Sequence, residues 1–198
     1  MKSTSEQIKT ILIKRKFLLL SVITILGLSN SIKAQNIDLG LKTGLNISNF
    51  TGGDADRNSL FGFHIGGFAE FKLNETFSIQ PELLYSTQGS EAENTVKVKV
   101  DYLTIPLMTK YYLSEKFSLE AGPQMSFLVN DKAKFNDSSI PDAETDASSF
   151  DFGLNLGLGY AINSNLFAQT RYNYGITTVT ENPDIKNSVF QISLGYKF

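Results

Sequence analysis

The sequence predicts an all-β fold, an eight-stranded antiparallel up-and-down transmembrane β-barrel. Apolar and polar residues alternate one by one along most of the chain, as they do in strands with one oily side. The connections alternate as well, between turns of two or three residues and much longer segments, which is how membrane barrels separate a short-turn rim from a long-loop rim. Sorted by parity, one face of these strands is apolar and the other holds five acids and five bases.

Residues 1–35 read as an export signal ahead of a single domain, 36–198. Lys9, Lys14, Arg15 and Lys16 precede an apolar run from Phe17 to Leu28, and Ser31-Ile32-Lys33-Ala34 offers a small residue at a cleavage site. The run is short for a membrane span, which leaves an uncleaved N-terminal anchor as the lesser alternative. Without residues 1–35 the chain carries 12 Lys+Arg against 19 Asp+Glu, a formal net charge of −7, so nucleic acid is not an expected partner. With no Cys, disulfides and cysteine metal sites are excluded, and stability has to come from a closed hydrogen-bonded sheet.

The first strand is expected in "NIDLGLKTGLNISNF", where Ile37, Leu39, Leu41, Leu45 and Ile47 alternate with Asp38, Gly40, Lys42, Gly44 and Asn46. Further strands follow near 60–73, 76–88, 98–113, 117–130, 148–162, 166–179 and 187–198. Asn74-Glu75, Ser114-Glu115-Lys116 and Asn163-Ser164-Asn165 are the short turns, rich in residues that tolerate tight backbone geometry. Longer segments near 50–59, 89–97, 131–147 and 180–186 are expected on the opposite rim. The last strand, "SVFQISLGYKF", puts Phe190, Ile192, Leu194, Tyr196 and Phe198 on one face and is expected to close the sheet against the first. Pro81, Pro106 and Pro123 each remove a ladder donor at similar heights, which suggests a common bulge or kink.

The apolar parity collects, among others, Phe61, Ile65, Leu83, Leu103, Leu107, Phe127, Leu154, Leu156, Tyr172 and Ile176. A charge on a lipid-facing position costs about 2–4 kcal/mol at the midplane, so this face belongs to lipid. The opposite parity holds Asp38, Glu70, Glu82, Glu120 and Asp151 with Lys42, Lys72, Lys110, Arg171 and Lys197. An eight-stranded barrel is just wide enough inside to be filled by side chains. These ten residues are therefore expected to pair as a charge network in the lumen. Arg171's first candidate partners are Glu120 and Asp151, on the two preceding strands.

Turning the apolar face inward would give a soluble lipocalin-like barrel. The sorted loops, the glycines on the polar face and the number of rings all weigh against it. Sixteen or so strands make an open porin, so a small-solute pore is the alternative to a filled barrel.

"QPELLYSTQG" at 80–89, "DYLTIPLMTKYYL" at 101–113, "LEAGPQMSFLV" at 119–129 and the terminal "ISLGYKF" resemble the PorT-type porin-family proteins, the outer-membrane β-barrel group of Bacteroidota. The resemblance implies the outer membrane, with its lipid and lipopolysaccharide, as the surroundings. It implies that the terminal aromatic, Phe198, is an assembly signal read by the barrel-assembly machinery. An envelope protein partner is compatible with it, and one namesake branch is tied to secretion and gliding machinery.

No cofactor and no enzymatic activity are expected, because no Rossmann, phosphate-loop or zinc spacing occurs. His64, the single histidine, could serve a hydrolase only with a Ser or acid that no motif fixes, so a hydrogen-bonding role in the lumen is expected. Asp54-Ala55-Asp56-Arg57-Asn58 mimics the opening of a calcium loop but lacks its glycine and terminal glutamate. Asp131, Asp137, Asp142, Glu144 and Asp146, with Lys132 and Lys134, are expected in an acidic solvated loop, with docking to a cationic partner as the alternative.

Overall fold

The computed structural model describes residues 37–52, 57–92, 96–135, 147–181 and 184–198. The export-signal reading of 1–35, Asp54, Asp56 and the loop acids Asp137 to Asp146 lie outside the described residues. From Asp38 to Phe198 the chain is one compact unit. Its strands are β1 (Ile37–Thr51), β2 (Arg57–Lys72), β3 (Phe77–Ala92), β4 (Val96–Tyr112), β5 (Phe117–Phe135), β6 (Phe150–Ala161), β7 (Leu166–Gly175), β8 (Thr180–Glu181) and β9 (Asp184–Lys197). The order β1-β2-β3-β4-β5-β6-β7-β9, with β1 paired to β9, closes an eight-stranded antiparallel barrel. The two-residue β8 only folds back on the start of β9, Thr180 opposite Ile185.

Closure is continuous. β1 and β9 pair from Gly40↔Lys197 to Thr51↔Lys186, and the Phe198 N–H donates to the Leu39 carbonyl at 2.9 Å. The three short turns share one device, in which the first residue's side chain accepts from backbone N–H groups two and three positions on. Asn74 Oδ1 accepts from Thr76 and Phe77 (both 2.8 Å), Ser114 Oγ from Lys116 and Phe117 (3.3 and 3.2 Å), and Asn163 Oδ1 from Asn165 and Leu166 (3.0 and 2.8 Å).

The apolar parity lies outside. Leu45, Phe61, Leu156 and Leu158 are each more than half exposed, which disposes of the soluble lipocalin-like arrangement. Facing rings such as Phe77–Tyr111 and Phe117–Tyr160, 5.0 and 4.9 Å between centroids, sit near the short turns. Phe127–Phe150, at 5.5 Å, lies toward the loop rim. These are the positions of interfacial aromatic girdles.

Two expectations are corrected. The prolines shift no register: Gln80↔Met108 and Leu84↔Thr104 flank Pro81 in step, and Gly122, Pro123 and Gln124 pair in sequence with β6. The irregularities fall instead near the loop rim, between Ser59 and His64 on β2 and at Asp101/Tyr102 on β4. The segments read as loops at 89–97 and 131–147 also begin as sheet, because β3, β4 and β5 run on to Ala92, from Val96 and to Phe135. Strands of 16 to 19 residues exceed the roughly ten that a bilayer requires, so these three project past it on the loop side. Lys97 and Lys99 share the outward parity there, so the face free of charge ends with the apolar belt.

Candidate functional site: the barrel lumen

Inward-pointing residues build the lumen in layers. Nearest the short turns, Lys197 Nζ lies 2.6 Å from Glu70 and 3.3 Å from Asp38, and Lys72 Nζ lies 2.9 Å from Asp38. Glu70 also accepts from Ser78 at 2.7 Å and from the Tyr112 hydroxyl. Lys110 joins this layer to the next, 3.5 Å from Glu70 and 3.6 Å from Glu120, with its ammonium 5.3 Å from the Phe167 ring centroid.

Phe68 and Phe167 meet edge to face inside the lumen, centroids 5.4 Å apart, both 5% exposed. Two glycines make the room. A Cβ on Gly40 would lie 2.3 Å from Phe68 Cζ, and one on Gly195 would lie 2.1 Å from Phe167 Cζ.

The central layer is the most tightly bonded. Arg171 donates to both oxygens of Glu82, Nη1 at 3.0 Å and Nη2 at 2.8 Å, and reaches Glu120 at 3.4 Å. Lys42 donates to Glu82 at 2.7 Å and to Gln169 at 2.9 Å, while Gln169 donates to Glu120. Gln80 donates to Glu82 at 2.8 Å and accepts from Lys110 at 3.3 Å. Two cations and two carboxylates balance here, and the bidentate Arg–Glu fork is the stronger kind of ion pair.

Above it, Asn46 Nδ2 donates to the Phe63 and Thr87 carbonyls at 3.1 and 2.8 Å, which fixes its amide. Its Oδ1 therefore accepts from Gln191 at 3.1 Å and from His64 Nδ1–H at 2.8 Å. His64 Nε2 is left to accept the Ser193 hydroxyl at 2.8 Å. Ser–His–Asn in this order is the arrangement that activates a nucleophile. Here the serine is 2% exposed and the other two are fully buried, so a substrate carbonyl has no room to approach. The trio instead joins β2 to both strands of the β1–β9 seam.

Toward the loops, Gln124, Asn155 and Asn173 form an amide ladder at 3.2 and 3.1 Å. Phe50, Val100, Tyr102 and Val179 then close the lumen as an apolar cluster, with Val98, Leu128, Ala147 and Ile185 packed against it.

Nine of the ten charged residues assigned to the lumen by parity thus fall into one connected set, from Lys72 and Asp38 at the rim to Lys42 and Arg171 at the centre. Asp151 stands apart. It accepts from Thr177 at 2.8 Å and Asn187 at 3.0 Å, and is not Arg171's partner. The register explains this: Arg171 pairs with Gly157, six residues from Asp151 along β6. The principal partner, Glu82, reaches across the lumen from β3. Gln80, Gln169, Tyr112, Phe68 and Phe167 were not foreseen from sequence, although each shares parity with a charged lumen residue on its own strand. Phe198 is half-buried and meets Tyr196 edge to face, ring centroids 6.0 Å apart.

Residues 33–181 match the family described as outer membrane protein beta-barrel domain. The chain belongs to that family. No curated protein matches it significantly in sequence. Among solved structures this outer-membrane barrel is similar to Neisserial surface protein A, at 15% identity and a TM-score of 0.59, covering 81% of this chain and 97% of the other. It is also similar to Ail, the attachment invasion locus protein of Yersinia pestis, at 16% identity and a TM-score of 0.54, covering 81% and 98%. These likenesses concern the fold. The protein is an outer-membrane β-barrel.

Proposed function

We propose that this outer-membrane barrel is a sealed anchor with a structural or binding role in the cell envelope, and that its lumen passes no solute. The observation that carries this reading is the filling of the lumen. Glu82, Lys42, Arg171 and Glu120 cross-link its centre, the Phe68–Phe167 pair lies below them and the Phe50–Val100–Tyr102–Val179 cluster above. A conducting path would have to separate these buried ion pairs and displace the rings below and above them. The barrel then serves to hold the projecting ends of β3, β4 and β5 outside the membrane.

The sequence blocks at 80–89, 101–113 and 119–129 support membership of the PorT-type branch of Bacteroidota. Residues 1–35 are its export signal, and Phe198 is the residue through which the barrel-assembly machinery recognises the last strand. Deleting Phe198 should lower the outer-membrane fraction and raise periplasmic degradation, and an unchanged level would count against this role. Liposome swelling tests the sealed barrel. Vesicles carrying the purified monomer should exclude small sugars as protein-free vesicles do, whereas swelling that scales with protein content would favour the pore.

A further inference from the structure

The part of β4 and β5 beyond the membrane carries a feature that folding alone does not favour. Lys99 of β4 stands directly opposite Lys132 of β5, and Lys97 opposite Lys134. Like charges facing each other across a strand pair are destabilising. These four lysines are a third of the 12 basic residues in 36–198, gathered into two facing segments of an otherwise acidic chain.

Their direction follows from their neighbours. Val98, Val100 and Ala133 alternate with them and turn inward, Val98 packing against the cluster that contains Val100. Lys97, Lys99 and Lys132 are exposed on the outer face. Only Lys97 of these three has an ion pair among the described residues, to Glu91 at 3.5 Å. Another acid beside this patch, Asp101 on β4, is 7% exposed and accepts from Asn130 at 3.2 Å.

Their height points to a partner. Leu103, Phe127 and Val129 end the apolar belt on these strands. Lys99 lies four residues beyond Leu103, about 13 Å along the strand at ~3.3 Å per residue. With a tilt of about 40° that becomes about 10 Å along the membrane normal, beside the polar headgroups of the outer leaflet. We infer that Lys97, Lys99 and Lys132 form a phosphate-binding ladder for an anionic glycolipid of the outer leaflet, whose acyl chains lie on the Leu103–Phe127–Val129 surface. Bound phosphates would also relieve the cross-strand repulsion.

The test uses the full barrel in neutral detergent, titrated with a bis-phosphorylated glucosamine glycolipid and read by native mass spectrometry. Wild type should bind this lipid and not its dephosphorylated form. Lys99→Gln/Lys132→Gln should weaken binding roughly 25-fold, at about fivefold for each lysine facing an anionic surface. The conservative Lys99→Arg/Lys132→Arg should retain it, as should Lys116→Gln in a short turn. Boiled and unboiled gel mobility verifies folding of each variant. In lipid-free detergent the glutamine pair should unfold at higher denaturant than wild type, because the repulsion is gone. Unchanged binding by the glutamine pair, or equal binding of the dephosphorylated lipid, would overturn the proposal. Stronger binding of a soluble sulfated polysaccharide than of the glycolipid would overturn it in favour of a soluble polyanion.

Discussion

Replacing Arg171 by Ala is the sharpest test of how the lumen is held together. The guanidinium is fully buried and makes two bonds to Glu82, at 3.0 and 2.8 Å, and one to Glu120 at 3.4 Å. Its removal leaves Glu82 with Lys42 and leaves Glu120 with only the longer cation contact to Lys110 at 3.6 Å. Breaking a buried pair by deleting one member costs about 3–5 kcal/mol. Lys42 remains 2.7 Å from Glu82, so the expected loss is near the lower end, about 3 kcal/mol. The chain has no Trp, so unfolding by guanidinium in detergent is best followed by far-UV circular dichroism and by gel mobility. Arg171→Met/Glu120→Gln restores charge balance around the Lys42–Glu82 pair and should regain most of the loss, a non-additivity that a simple cavity would not produce. A control in the exposed turn, Lys116→Ala, should stay within about 0.5 kcal/mol. If Arg171→Ala were as stable as that control, the lumen would be a hydrated channel whose charges do not depend on one another.

Gly195→Val places a branched side chain against the Phe167 ring and should cost about 1–3 kcal/mol in the same unfolding assay, with Phe167→Leu in that background recovering part of it. His64→Ala takes one of two donors from Asn46 Oδ1, which keeps Gln191, and leaves the Ser193 hydroxyl without its imidazole acceptor at the β1–β9 seam, and should lose about 1–3 kcal/mol. A fluorophosphonate probe should leave Ser193 unlabelled in the folded wild-type barrel, and labelling would reopen a hydrolytic role. Leu156→Arg, at an outward position 68% exposed, should destabilise the barrel in lipid by about 2–4 kcal/mol. The same change at Leu113, beside a short turn, should cost about 0–1 kcal/mol.

Strand count, closure and the inside–outside assignment were legible because period-two patterning and turn chemistry are local properties. Leu41, Leu45, Ile192 and Leu194 declare their face whatever the neighbouring strand does. Partner choice was not legible, because it depends on register and on reach across the lumen. Glu120 was foreseen beside Arg171, whereas Glu82 lies on a strand far from β7 in the barrel order and no local pattern names it. Asp151 shares the parity of Arg171's partners but lies six residues too far along β6. The first two residues of β4, 96–97, and the last five of β5, 131–135, were read as loop. Yet "VKVKV" at 96–100 alternates strictly, and "KAKF" at 132–135 alternates after the polar Asp131, a signal that marks both as strand. The prolines misled in the other direction. A missing ladder donor leaves a gap in bonding, and the flanking pairs hold the register in step.

The central claim is that the folded barrel is closed by its own side chains, and single-molecule conductance in a planar bilayer tests it most directly. The purified, heat-modifiable monomer should insert and give no steps above the bilayer baseline at either polarity. Reproducible steps of uniform size from that monomer would contradict the sealed lumen and make the protein a pore.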